Sequence, residues 1–164
     1  MALACGDGTV DDGDGEQEGT DMRASELKTR TRTFAVMIMQ LTEELPKKPG
    51  ASVVARPLLR AGTAIGAMLR SACSSRNRWD FSSRLRGVEE ATEETLYWLQ
   101  ITQEAKLLPA PRIDPVIAEC RELQRIFRKS RRIADQRVRE KENSPDWDPG
   151  ASPEQGGPND DIPF

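Results

Sequence analysis

The chain has 164 residues, of which 37% are hydrophobic, 5% aromatic and 31% charged, with a formal net charge of −3. That is enough for one domain with a real core, and because no apolar run approaches the roughly 18 residues needed to span a bilayer, no membrane association is expected and the cytoplasm is the expected location. There is no histidine, which removes the commonest general base and metal ligand and predicts a protein that is not an enzyme and needs no cofactor or metal.

Charge says more once the chain is divided. Residues 1–22 hold seven acids and residues 143–164 hold five, neither with any Lys or Arg. Residues 23–142 therefore carry all 24 basic residues against the remaining 15 acids, a net of +9. A cationic body with anionic ends points towards polyanions.

Residues 1–22, rich in Gly and Asp, have almost nothing to bury and predict a disordered acidic tail. Met22 is an alternative to Met1 as the true start, and Leu3-Ala4-Cys5 has the look of a lipoprotein cleavage site without the basic and apolar segments that should precede one. Three widely spaced cysteines, Cys5, Cys73 and Cys120, predict free thiols rather than a disulfide framework.

A first helix is predicted from about Ser25 to Leu45, with Leu27, Thr31, Phe34, Ile38, Leu41 and Leu45 on one stripe. Pro46-Lys-Lys-Pro-Gly50 ends it. A second helix follows over about Ala51–Ser74, with a kink expected at Pro57. Its small residues from Ala61 to Ala67 let another backbone approach closely, either the third helix or another subunit. The polar connection Ser71–Arg78 is doubly cationic, and its Arg76 and Arg78, with Arg70 just before it, could present forked donors to phosphate at one end of the bundle.

The third helix should run from about Trp79 to Leu107, burying Phe81, Leu85, Val88, Thr92, Thr95, Leu96, Leu99 and Thr102. Tyr97 and Trp98 point away from that stripe and are candidates to seal an interface with a neighbour. Glu89, Glu90, Glu93 and Glu94 suggest a di-metal carboxylate site, but such sites commonly use a Glu-x-x-His pair, which a chain without histidine lacks. The expected role is a solvated face supported by Arg86, three and four residues before Glu89 and Glu90.

These residues carry a likeness. Leu58-Leu-Arg-Ala-Gly-Thr-Ala-Ile-Gly-Ala67, Asp80-Phe81 and Glu89-Glu-Ala-Thr-Glu-Glu-Thr-Leu-Tyr-Trp-Leu99 resemble the four-helix bundle proteins related to the 23S rRNA intervening-sequence protein, over roughly residues 26–140. Family members commonly carry Asn where Met68 stands, Glu where Ser71 stands and a helix-compatible polar residue where Pro57 stands. The resemblance implies an all-α, antiparallel up-down four-helix bundle over residues 23–142, assembled into a homo-oligomer, a pentamer in particular.

The fourth helix is expected to open on Asp114 as N-cap with Pro115 in its first turn and to reach about Glu142. Val116, Cys120, Leu123, Phe127, Ala134 and Val138 form its inward stripe. Arg121, Arg125, Arg128, Arg132 and Arg139 recur on the far side with Lys129 and Arg131 nearby, a nearly single-signed stripe suited to phosphates. Residues 143–164, with five prolines and three glycines, read as a disordered tether. Its tip, Asp160-Asp161-Ile162-Pro163-Phe164, resembles the C-terminus of bacterial single-stranded DNA-binding proteins, which docks replication, recombination and repair proteins.

The combined expectation is a non-enzymatic adaptor that holds DNA or RNA through a basic bundle and recruits genome-maintenance proteins through its tip. The alternative is a protein-only oligomeric scaffold, for example a reverse-transcriptase accessory factor of the kind the wider family includes.

Overall fold

The computed structural model describes residues 13–145, with side chains from Arg23 onward. It holds four helices, α1 (Gly13–Glu43), α2 (Pro49–Cys73), α3 (Arg78–Glu104) and α4 (Ala110–Glu142), and no strand among the described residues. Each helix packs on the next in the chain, α1 closes on α4 along the thinnest seam, and the backbones of the diagonal pairs stay more than 8 Å apart among the described residues. Connections of four or five residues allow only reversals of direction, so the protein is an all-α antiparallel up-down four-helix bundle. Residues 1–12 and 146–164, most of the two expected tails, lie outside the described residues, and α1 starts at Gly13 rather than near Ser25.

The core forms where the apolar stripes meet. Leu27, Phe34, Ile38 and Leu41 of α1 face Val54, Leu58, Ile65 and Leu69 of α2, Phe81, Leu85, Val88 and Leu99 of α3, and Ile113, Cys120, Leu123 and Phe127 of α4. Threonines can join this core because a helical threonine satisfies its own hydroxyl. Thr31 donates to the carbonyl of Leu27 at 2.9 Å, Thr92 to Val88 and Thr95 to Ala91 at 2.7 Å, and Thr102 to Trp98 at 2.8 Å. None of these four hydroxyls is left without an acceptor, so the sites behave as apolar ones. Leu45, Leu96 and Val138, expected inside, are only partly buried, while Ser82, Ala91, Ile113, Ile117 and Ser130 are buried as well.

Two small residues of α2 face the same neighbour. A Cβ on Gly62 would lie 2.8 Å from Ile38 Cγ1, and one on Gly66 would lie 3.4 Å from Thr31 Oγ1, so these two glycines let α1 approach, a neighbour the expectation of α3 or another subunit did not include.

The boundaries differ from expectation where proline and lysine act unusually. α3 stops at Glu104 because Lys106 adopts a left-handed φ of 51°, and Leu107 N–H then bonds back to the carbonyl of Thr102 at 3.1 Å. This closes a Schellman-type turn without the usual glycine. α4 begins at Ala110, capped by Pro109 with Pro111 in the first turn, and carries Pro115 inside it. Asp114 is thus a helical residue, and its carboxylate accepts from Gln103 Nε2 at 2.7 Å instead of capping α4. α2 runs continuously through Pro57, whose nitrogen has no hydrogen for the carbonyl of Val53, a residue 65% exposed. By contrast α3 opens as a helix should, with the Asn77 side chain accepting from Asp80 N–H at 2.9 Å.

Candidate nucleic-acid interface

The site is built on the outer side of α4. The same 3.6-residue period that turns Cys120, Leu123, Phe127 and Ala134 inward puts Arg121, Arg125, Arg128, Lys129, Arg132 and Arg139 in solvent. What distinguishes these cations is whether an acid already holds them. Arg125 pairs with Glu122 on its own helix, and Arg128 reaches across to α3, donating to Glu93 Oε1 at 2.6 Å with Glu89 at 3.6 Å. Arg121, Lys129, Arg132 and Arg139 have no hydrogen-bond or ion-pair partner among the described residues.

Arg131 is differently placed. It is turned towards α3, where Nε donates to Glu89 and Nη1 donates to Asp135 at 2.7 Å. Asp135 also accepts from Ser82 Oγ at 2.5 Å, so α3 and α4 are joined by one polar cluster whose Glu89 side chain is 12% exposed. The hydrogen bond from Arg131 to Glu89 raises the arginine's pKa against an opposing loss of hydration, so this guanidinium stays charged and occupied. Arg86 supports none of these glutamates by an ion pair: Glu89 and Glu93 answer α4, Glu94 accepts from Arg60 of α2 at 2.6 Å, and Glu90 stays exposed as a solvated side chain. Among the described residues no group of three or more His, Cys, Asp or Glu is arranged to hold a metal ion.

The three arginines of the α2–α3 end are exposed, but they do not join the α4 stripe as a single row. Arg70 is laid against the bundle end, donating to the carbonyls of Gly66 at 3.2 Å and Lys28 at 3.4 Å. Arg76 and Arg78 have partners of their own. They flank the start of α3, which meets the end of α4 where Trp79 Nε1 donates to Glu142 at 3.3 Å. Asp80 tightens this corner: its carboxyl is held below the usual range chiefly by the hydrogen bond from Arg84 at 2.7 Å, with help from the Arg76 amide. Ser71 Oγ accepts from Arg84 Nη1 at 2.5 Å.

Sequence reasoning missed the pairs that close α1. Arg30 grips Glu119 of α4 with two hydrogen bonds, 2.6 and 2.9 Å, and Arg112 grips Glu44 across the opposite end. Each residue's place on a helix flank was readable, but its partner lies 68 to 89 positions away. Cys120 is buried, and loss of hydration pushes its thiol up to about 12, so it is inert as a nucleophile. Asp160, Asp161, Ile162, Pro163 and Phe164 lie outside the described residues. No described helix is long and apolar enough to cross a membrane.

With that geometry in view, comparison with known proteins decides the lineage: residues 23–129 match the family model for the 23S rRNA-intervening sequence protein. The chain belongs to the 23S rRNA-intervening sequence protein family. A solved structure from Bacteroides thetaiotaomicron, described as a protein of unknown function from the S23 ribosomal protein family, is similar at 26% identity and a TM-score of 0.58. That alignment covers 62% of this chain and 94% of the other. No curated protein matches. The matched segment ends at Lys129, before Arg132 and Arg139.

Proposed function

We propose that the protein is a non-enzymatic nucleic-acid-binding adaptor whose contact surface is the outer face of α4. The observation that carries this reading is the set of exposed cations, Arg121, Lys129, Arg132 and Arg139, that no described acid neutralises. Phosphates would release counterions on meeting them, and Arg125 and Arg128 would exchange exposed ion pairs of small net value for phosphate. Few exposed aromatics are available to stack on bases, so binding would follow the backbone rather than sequence. The family's name, which refers to an rRNA segment, agrees with a polyanionic ligand. In this reading the Asp160–Phe164 motif, through its likeness to the single-stranded DNA-binding protein tip, docks a replication, recombination or repair protein: Phe164 fills an apolar pocket while the two aspartates meet a basic rim.

Fluorescence anisotropy with single- and double-stranded DNA and RNA, over a salt series, tests the contact. A steep loss of affinity with salt is expected, and replacing the four cations by Gln should lower the duplex salt slope by about 3 to 4. Absence of binding to all four probes at low salt would refute it. For the motif, pull-down of genome-maintenance proteins from nuclease-treated extract should be lost on deleting Phe164.

A second reading, a protein-only oligomeric scaffold such as a reverse-transcriptase accessory factor, draws on a different observation. Val36 and Met39 of α1 and Leu59 of α2 are large apolar side chains left exposed at 46%, 47% and 37%, as a self-associating surface would require. Light scattering reporting a homo-oligomer, with a pentamer as the family expectation, together with no polyanion binding, would favour it.

A further inference from the structure

An even number of antiparallel helices returns the chain to the end where it began. Here α1 enters and α4 leaves at the end where Arg70 of α2 bonds to Lys28 of α1 and Trp79 of α3 bonds to Glu142 of α4. Arg70, Arg76, Arg78 and Arg139 crowd that end, and Arg132, Lys129 and Arg121 continue from it along α4. The chain passes directly from this cationic end, at Pro145, into residues 146–164, which contain Asp146, Asp148, Glu154, Asp160 and Asp161 and no Lys or Arg.

We propose that residues 146–164 fold back along α4 and occupy its unpaired cationic stripe when no polyanion is bound, so that nucleic acid must displace this segment to bind. The proposal rests on the reading of the stripe as the nucleic-acid contact and assigns that contact a built-in competitor. The lengths agree: Glu142 to Arg121 is about 32 Å of helix, whereas nineteen extended residues reach about 60 Å. The proximal acids Asp146 and Asp148 therefore meet Arg139 and Arg132, and Asp160 and Asp161 reach Arg121 with slack. The C-terminal segment is the occupant rather than residues 1–12 because α4 carries both the tether and the stripe. Exposed ion pairs are individually weak, but a short tether holds the acids at an effective concentration in the millimolar range, where weak contacts are populated. Salt that screens the contact releases the segment.

The test compares the full chain with a full-length variant in which the five acids are neutralised, D146N, D148N, E154Q, D160N and D161N. Without nucleic acid, NMR spectra of the two should differ at the Arg121, Arg132 and Arg139 side-chain Nε–H groups and at the neighbouring α4 amides, and the differences should vanish in high salt. With a twenty-nucleotide single strand as probe, the variant should bind about 3- to 10-fold more tightly at low salt, the gap closing as salt rises. Identical spectra would overturn the fold-back even if both proteins bound the strand equally well, leaving the nucleic-acid reading standing. Differences confined to α1 and α2 would overturn it too, by placing the segment on another face. Spectral differences on α4 with no binding of the strand by either protein would remove the contact reading and, with it, the competition.

Discussion

At the scale of single residues, two glycines four positions apart behave oppositely. Gly62 sits against the stiff, fully buried Ile38, and an added Cβ would come within 2.8 to 3.2 Å of three of its atoms. Overpacking of about 1–3 kcal/mol outweighs the helix-propensity gain of about 1 over most of that range, so Gly62→Ala should destabilise by up to about 2 kcal/mol in urea denaturation. At Gly66 the nearest atoms lie at ordinary contact, 3.4 Å and beyond, so Gly66→Ala should stabilise by about 0.5–1 kcal/mol. Lys106 invites the reverse exchange. Its positive φ crowds a Cβ that glycine lacks, and Lys106→Gly should raise stability by about 1 kcal/mol, visible as a higher urea midpoint with an unchanged slope.

At the scale of elements, the seam between α3 and α4 is held by more than apolar contact. Glu89, Arg131, Asp135 and Ser82 form one partly buried network, and removing one member strands the others. A double-mutant cycle with Glu89→Gln and Arg131→Gln should return a coupling of about 1–2 kcal/mol, whereas the exposed pair Arg60–Glu94 should return less than about 0.5. The helices themselves were legible in the sequence because their apolar periodicity reports burial directly: the α3 stripe from Phe81 to Thr102 is buried almost throughout. Their ends were less so. Three prolines, Pro109, Pro111 and Pro115, were each compatible with the first turn of α4, and only packing of Ile113 into the core selects the earlier start. The candidate site was readable as a stripe, yet which of its arginines were already engaged was not, since Glu89 and Glu93 belong to a different helix and single-helix spacing carries no information about partners across a bundle.

At the scale of the whole molecule, acid should weaken the fold in a defined window. Hydrogen bonds from Arg112 and Arg84 hold the Glu44 and Asp80 carboxyls below their ordinary values. An acid whose pKa is lowered by folding contributes stability that is complete above its unfolded value and lost as pH falls through its folded one. Urea midpoints should therefore be flat from pH 7 to about 5 and fall below about pH 4, and Asp80→Asn should shrink that fall. Protonating acids also unmasks the 24 basic residues, which adds self-repulsion in the same direction.

The two in-helix prolines have a further effect. Pro57 and Pro115 both lie in the early turns of their helices, and the up-down path brings those turns together at the end remote from Glu142. Each withdraws one rung from its helical ladder. That pole should breathe more readily than the other, with amides of residues 51–56 and 112–114 exchanging deuterium well before those near Leu69 and Phe127. Local opening would then begin farthest from the charged pole and leave the outer face of α4 near Arg132 and Arg139 standing longest.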